Sequence, residues 1–187
     1  MPAHLQRRLI SRDEYRRMAE AGILAEDERV ELLAGELIYM SPIGSKHAAC
    51  LMKCLSLLGR LLPEQVIVSP QNPILLGDFS EPEPDLALLR HRDDFYAEQL
   101  PGPEDVLLLI EIADTSVIKD REIKLPLYAE AGIPELWILN LPGQLLEIYR
   151  QPEGKSYREQ HILRPGDEIQ PLALPSLQIE VGQMLPG

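Results

Sequence analysis

Residues 106–140 read VLLLIEIADTSVIKDREIKLPLYAEAGIPELWILN, and this stretch decides the fold. Val106 to Ile112 is a nearly continuous apolar run broken only by Glu111, the pattern of a strand buried on both faces. From Lys119 to Ala131 the period changes. Ile123, Leu127 and Ala131 recur every four residues and mark the buried face of a helix. Pro126 falls in or just after the first turns, where proline is tolerated best, and Gly132 is a natural C-terminal cap. Glu135 to Asn140, which holds the only tryptophan (Trp137), is again a strand.

Reading outward, Ser11 followed by Glu14 is a capping box that opens a short helix to about Glu20, ended by Gly22. Two short apolar runs in 29–40 flank Ala34-Gly35 and predict a β-hairpin. A helix follows from Ser45 to about Leu62, with Ala48, Leu51, Met52, Leu55, Leu58, Leu61 and Leu62 as its apolar face. Short strands are expected at Val66 to Ser69, Ile74 to Leu76 and Asp85 to Leu89. Beyond Asn140 the texture predicts a hairpin, Leu145 to Tyr149 and Tyr157 to Leu163, turning at Pro152-Glu-Gly154. A last strand is expected at Leu177 to Val181. The predicted class is α/β: a mixed β-sheet flanked by helices, with extra β-hairpins. No repeat or linker divides the chain, so residues 1–187 are expected to form a single domain.

The totals narrow the function. With 45% hydrophobic residues the chain can build a core without staples, and with only 5% aromatics that core must be mainly aliphatic. The net charge of −12 opposes tight non-specific coating of nucleic acid, which depends on cations displacing counterions. It opposes less strongly an enzyme that touches one phosphate, because a bound dication reverses the local field. Cys50 and Cys54 lack the further ligands zinc needs and read as small buried residues. The polar, arginine-rich start and the lack of a long apolar run predict a cytoplasmic protein with no membrane partner.

The candidate chemistry lies in polar groups a core would not choose. Asp85 opens an apolar strand and Glu111 ends another. Bare carboxylates on adjacent core strands are costly, and a cation between them removes the cost. Magnesium or manganese would suit these oxygens, with the backbone carbonyl of Ile112 as a further ligand. Asp120, Lys124 and Tyr128 are spaced to share a helical face, so Lys124 could point at a metal-bound phosphate. The plainer readings are a turn acid for Asp85, a strand-end charge for Glu111, and a surface lysine paired with Asp120 for Lys124.

Several motifs in order resemble one family. They are Val30-Glu-Leu-Leu-Ala-Gly-Glu-Leu37, Ser41-Pro42, the helix bearing His47, Pro84-Asp-Leu86, Ile110-Glu-Ile112, Asp120-Arg-Glu-Ile-Lys124, Leu127-Tyr-Ala-Glu-Ala-Gly-Ile-Pro-Glu-Leu-Trp137 and Leu174-Pro-Ser-Leu177. Together they are similar to the Uma-two-like restriction endonuclease family of the PD-(D/E)XK nuclease superfamily. The resemblance implies a restriction-endonuclease-like fold and a divalent-metal-dependent endonuclease using Mg2+ or Mn2+. Its catalytic residues would be Asp85, Glu111, Lys124 and Glu31, with metal ligands Asp85, Glu111 and Ile112. Ala113 stands where the superfamily usually has lysine, and Lys124 matches the lysine shifted to the next helix. Glu31 matches a further acidic position, and its plain reading is a hairpin charge. His47 is a weaker candidate. The loop Ile112-Ala-Asp-Thr-Ser116 departs from the family's Leu-Ser-Pro-Ser-Thr by lacking proline and adding Asp114. The implied substrate is nucleic acid, with DNA expected, and a homodimer is one option because members that cut both strands often pair. The alternative is a catalytically silent nuclease-like binding or regulatory module acting through a protein partner.

Overall fold

The computed structural model describes residues 7–25, 27–114 and 120–186, with Asp120 placed by its backbone alone. Helix α1 (Arg12–Glu20) opens with the expected capping box: Ser11 Oγ accepts from Glu14 N–H, and the Glu14 carboxylate accepts from Ser11 N–H at 3.1 Å. Strands β1 (Val30–Leu33) and β2 (Glu36–Tyr39) form the hairpin. Both turn residues, Ala34 and Gly35, have positive φ (50° and 80°), as a two-residue turn matched to strand twist requires. A Cβ at Gly35 would lie 2.6 Å from Leu9 Cβ, so position 35 has no room for a side chain. Gly35 N–H donates to Phe79 O (2.7 Å) and Glu81 N–H donates to Leu32 O (2.8 Å). These bonds clamp the hairpin onto the chain at residues 79–81.

Strands β3 (Val66–Pro70), β4 (Leu86–Arg90), β5 (Val106–Ala113), β6 (Glu135–Asn140), β7 (Leu145–Glu153) and β8 (Ser156–Leu163) form one sheet in sequence order. All neighbours are antiparallel except β5 and β6, which run parallel. A parallel pair needs a crossover, and the helical segment between them supplies it. That segment begins as a π-helical turn, Asp120–Lys124, and continues as helix α3 (Leu125–Glu130). The sequence predicts one helix from Lys119 to Ala131. Lys119 lies outside the described residues, and the regular helix is shorter because Pro126 has no N–H to give and its ring would meet the Glu122 carbonyl in a regular turn. A wider turn upstream relieves both problems.

The central strands are buried on both faces, as their unbroken apolar runs require. Leu86, Leu88, Leu108, Ile110 and Ile112 pack on one side against helix α2 (Ser45–Leu61) and the C-terminal residues Val181, Met184 and Leu185. Ala87, Leu89, Leu109, Ala113 and Ile138 pack on the other side, against Tyr128 and Ile133. Alternation therefore puts Glu111, between Leu109 and Ala113, on the α3 side of the sheet.

Four other expectations need correction. The buried face of α2 is the predicted stripe only in part: Leu58 is buried and Leu51, Leu55 and Leu62 pack against the core, but Cys50, Cys54 and Leu57 complete the face while Met52 is 63% exposed and Leu61 41% exposed. The small cysteines let the helix approach the sheet closely, and Cys50 Sγ–H reaches Met184 O (3.2 Å). The expected strand at Ile74 to Leu76 does not form, because the chain turns back at Gly77 (φ 62°) and Leu76 makes only an isolated bridge to Ser80. The final strand shrinks to β10 (Ile179–Glu180), paired with β9 (Glu168–Ile169), before a 3-10 turn at Val181–Gln183. The hairpin β7–β8 runs past its predicted turn, with Pro152 paired opposite Tyr157 near the end of the ladder, where a missing donor is tolerated. No described helix is long and apolar enough to cross a membrane.

Replacing Gly35 with alanine is expected to lower stability by roughly 2 kcal/mol, since it combines an unfavourable backbone region with a contact to Leu9. Urea denaturation of the variant beside wild type measures this.

Candidate active site

One cavity of about 150 Å³ opens where β1, β4, β5, α2 and the π turn converge. Glu31, Glu83, Asp85, Glu111, Asp114 and Lys124 all line it, together with His47 and Arg29. The register explains two of these positions. Leu86 pairs with Ile110 across β4 and β5, so Asp85, one step earlier, comes level with Glu111, one step later. Glu31 arrives from β1 because the hairpin is clamped to 79–81, two residues ahead of Glu83.

The centre of the site is the Lys124 ammonium. It lies 3.2 Å from Glu31 Oε2, 3.2 Å from Glu111 Oε1 and 3.2 Å from Glu83 O. Glu31, Glu111 and Lys124 are 1%, 2% and 5% exposed, so this is an ion cluster removed from water. Such a cluster persists only when its charges are paired and hydrogen-bonded, and neighbouring groups supply those bonds. Tyr128 O–H donates to Glu111 Oε1 (2.5 Å), and Glu83 N–H donates to Glu31 Oε2 (3.3 Å). Burial, then the charge of Glu31, pushes the Glu83 carboxyl above its ordinary range.

Asp85 is held separately. Its Oδ1 is 2.8 Å from His47 Nε2, and its Oδ2 accepts from Ile112 N–H at 2.7 Å. His47 reaches it from the first turn of α2, which has no acidic residue of its own there. These bonds fix the carboxylate while using two of its roughly four acceptor positions.

The donors suit a hard dication. Magnesium is often held by one or two carboxylates with water completing the shell, and Asp85 and Glu111 line the same space. Among the described residues no three His, Cys, Asp or Glu side chains form a ready-made metal cage. Ile112 does not line the cavity, and what it presents to Asp85 is its N–H.

A second buried network braces the π turn. Arg121 makes a two-pronged contact with the Glu147 carboxylate, Nε lying 2.8 Å from Oε2 and Nη2 bonding Oε1. Glu147 also accepts from Asn140 Nδ2 (3.0 Å) and Tyr149 O–H (2.8 Å). Burial alone would raise its carboxyl, but these donors outweigh burial and hold it below the ordinary glutamate range. Arg121 is three residues before Lys124, so the contact ties the turn carrying Lys124 to β7.

Of the residues expected from sequence, Asp85, Glu111, Lys124 and Glu31 come together around this cavity, and His47 joins them through Asp85. Lys124 pairs with Glu31 and Glu111, and the Asp120 side chain lies outside the described residues. Thr115 and Ser116 of the divergent loop also lie outside them, while Asp114 lines the cavity. The sequence reading did not single out Glu83, Arg29 or the Arg121–Glu147 pair. Glu83 stands two residues before Asp85 in an acidic, proline-rich turn, and Glu147 interrupts an apolar strand, so each carried a faint signal of a buried acid.

Residues 12–182 match the Uma2 family, described as "Putative restriction endonuclease". Among solved structures, the chain is similar to "a putative nuclease belonging to DUF820" from Anabaena variabilis ATCC 29413. The two share 17% identity at a TM-score of 0.75, over 94% of this chain and 97% of that one, which is a likeness of fold. No curated protein matches the chain.

Replacing Lys124 with methionine strands two buried carboxylates and is expected to cost about 3–5 kcal/mol, with Glu111→Gln in the same chain recovering part of the loss. Urea denaturation of the single and double variants at pH 7 gives both values. The lowered Glu147 carboxyl predicts a pH signature. Its contribution is present above the ordinary value of 4.5 and is lost as pH falls through its lower folded value. Glu147→Gln should therefore be destabilised at pH 7, and its stability gap to wild type should close in acid. A gap that stays constant down to pH 3 would contradict this.

Proposed function

The chain belongs to the Uma2 family, and we propose that its cavity is the active site of a divalent-metal-dependent endonuclease that hydrolyses phosphodiester bonds in nucleic acid, with DNA as substrate. The observation that carries this reading is the convergence of Glu31, Asp85 and Glu111 with the Lys124 ammonium in one cavity. Structural ion pairs need no opening to solvent, whereas this cluster forms the wall of one.

Each residue has a distinct part in the reading. Asp85 and Glu111 would hold Mg2+ or Mn2+, and such an ion would activate water at neutral pH and draw charge from the phosphoryl oxygens. His47 and the Ile112 N–H keep the Asp85 carboxylate in one orientation. Tyr128 does the same for Glu111. Lys124 is the proton-rich group beside the reacting phosphate. Its ammonium opposes the negative charge that builds on the phosphoryl oxygens, most effectively in a site that excludes water. Glu31 holds that ammonium from the other side.

A second reading, a silent nuclease-like module acting through a protein partner, draws support from the −12 charge and from a Lys124 already satisfied by two carboxylates. Calorimetric titration of Mn2+ into wild type and Asp85→Asn, with plasmid nicking on the same samples, separates the two. The endonuclease reading expects binding and nicking in wild type, both lost in the variant and both abolished by EDTA. Absence of Mn2+ binding by wild type at millimolar metal leaves the silent module as the better account.

A further inference from the structure

A cavity walled by Glu31, Glu83, Asp85, Glu111 and Asp114 repels a polyanion, so a nuclease built on it needs a cation placed to receive the backbone. The cations at hand differ in how far they are committed. Lys124 is buried between Glu31 and Glu111, and His47 is engaged by Asp85. Arg29 is different: it is exposed and lines the same cavity.

Its backbone is fixed. Met40 N–H donates to Arg29 O (2.9 Å), which extends the β1–β2 ladder by one pair beyond Val30 and Tyr39. Alternation along the strand puts Arg29 on the same face as Glu31, two residues on, and that is the cavity face. Its guanidinium, however, makes no ion pair among the described residues. Its one hydrogen-bond contact is Nη2 to the Met40 thioether, a weak acceptor, at 3.9 Å. The adjacent carboxylate of Glu28 is occupied elsewhere, accepting from Tyr39 O–H (2.8 Å) and Ala25 N–H (3.2 Å). A guanidinium on a rigid strand end, held by nothing stronger than sulfur, is prepared to grip a phosphate through two parallel N–H bonds.

We propose that Arg29 is the substrate-binding residue at the cavity mouth, gripping a backbone phosphate beside the one being cut. This role rests on the endonuclease reading above. It makes no demand on base identity, because a phosphate contact positions the substrate without reading sequence.

The test compares wild type, Arg29→Gln, Arg29→Lys and, as a remote control, Arg158→Gln, where Arg158 on β8 pairs with Glu153 at the end of β7. Two readouts are taken across a range of KCl concentrations. One is anisotropy of a fluorescein-labelled duplex oligonucleotide in EDTA, and the other is the KM for plasmid nicking in Mn2+. Arg29→Gln is expected to weaken duplex binding and raise KM about tenfold, and to reduce the salt slope by about one, equally for unrelated sequences. Arg29→Lys should keep the slope while losing part of the affinity, and Arg158→Gln should match wild type. Arg29→Gln with wild-type KM and slope, in a protein that nicks, overturns the role of Arg29 alone. Wild type that neither binds nor nicks overturns the endonuclease reading, and the role of Arg29 with it.

Discussion

The site depends on one buried ammonium. Lys124 is 5% exposed and is shared by Glu31 from the hairpin, Glu111 from the central strand and the Glu83 carbonyl from the segment before β4. These elements are far apart in sequence, and without the cation they would crowd two carboxylates into a space with little water. The penalty for an unpaired buried charge is several kcal/mol in practice, on the order of a substantial share of a domain's net stability. The same contacts that satisfy Lys124 therefore fix where the carboxylates stand. Arrangement of the site and stability of the hairpin dock are one requirement.

The sheet makes that arrangement possible. A single parallel pair, β5 and β6, forces the chain to cross the α3 face, so the π turn lies over the same face that Glu111 occupies by alternation. Pro126 widens that turn, and Arg121 locks it to Glu147 on β7. Lys124 is thus aimed by three things outside itself: strand parity, a proline and a remote ion pair. Ala113 is fully buried in the α3-side core, and a lysine at that position would have to displace packing.

How much of this was legible in the sequence follows from the range of the physics involved. The strands β5 and β6, the α1 capping box and the Ala34-Gly35 turn are local patterns, and each was readable because alternation, caps and turn residues act within a few positions. The α2 face was read too wide: Met52 and Leu61 fit the helical period but are left in solvent, and the small Cys50 and Cys54 take the closest approach to the sheet. Ile74 to Leu76 looked like a strand because its residues are apolar, but burial without a neighbouring ladder is enough to explain Ile74. Asp85, Glu111 and Lys124 were singled out as polar groups beside apolar strands and on one helical face, a local pattern, whereas Glu31 entered only through the order of family motifs. Composition gives no means of learning that Glu83 turns its carbonyl to Lys124, or that Arg121 reaches Glu147 across 26 residues.

The acidity of the chain, first met as an objection to a nucleic-acid enzyme, takes a different weight once the cavity is known. Carboxylates at the wall concentrate divalent cations and hold off the phosphate backbone, and both effects arise from the same field. On the endonuclease reading, a bound cation would change the sign of the local potential where the reaction occurs, leaving the rest of the acidic surface unattractive to nucleic acid. Affinity would then come from a few contacts at the mouth instead of a broad basic face. In such a design an exposed arginine on a rigid strand end counts for more than its single charge suggests, because the buried lysine is committed to holding the site together and has little to offer a substrate from a distance.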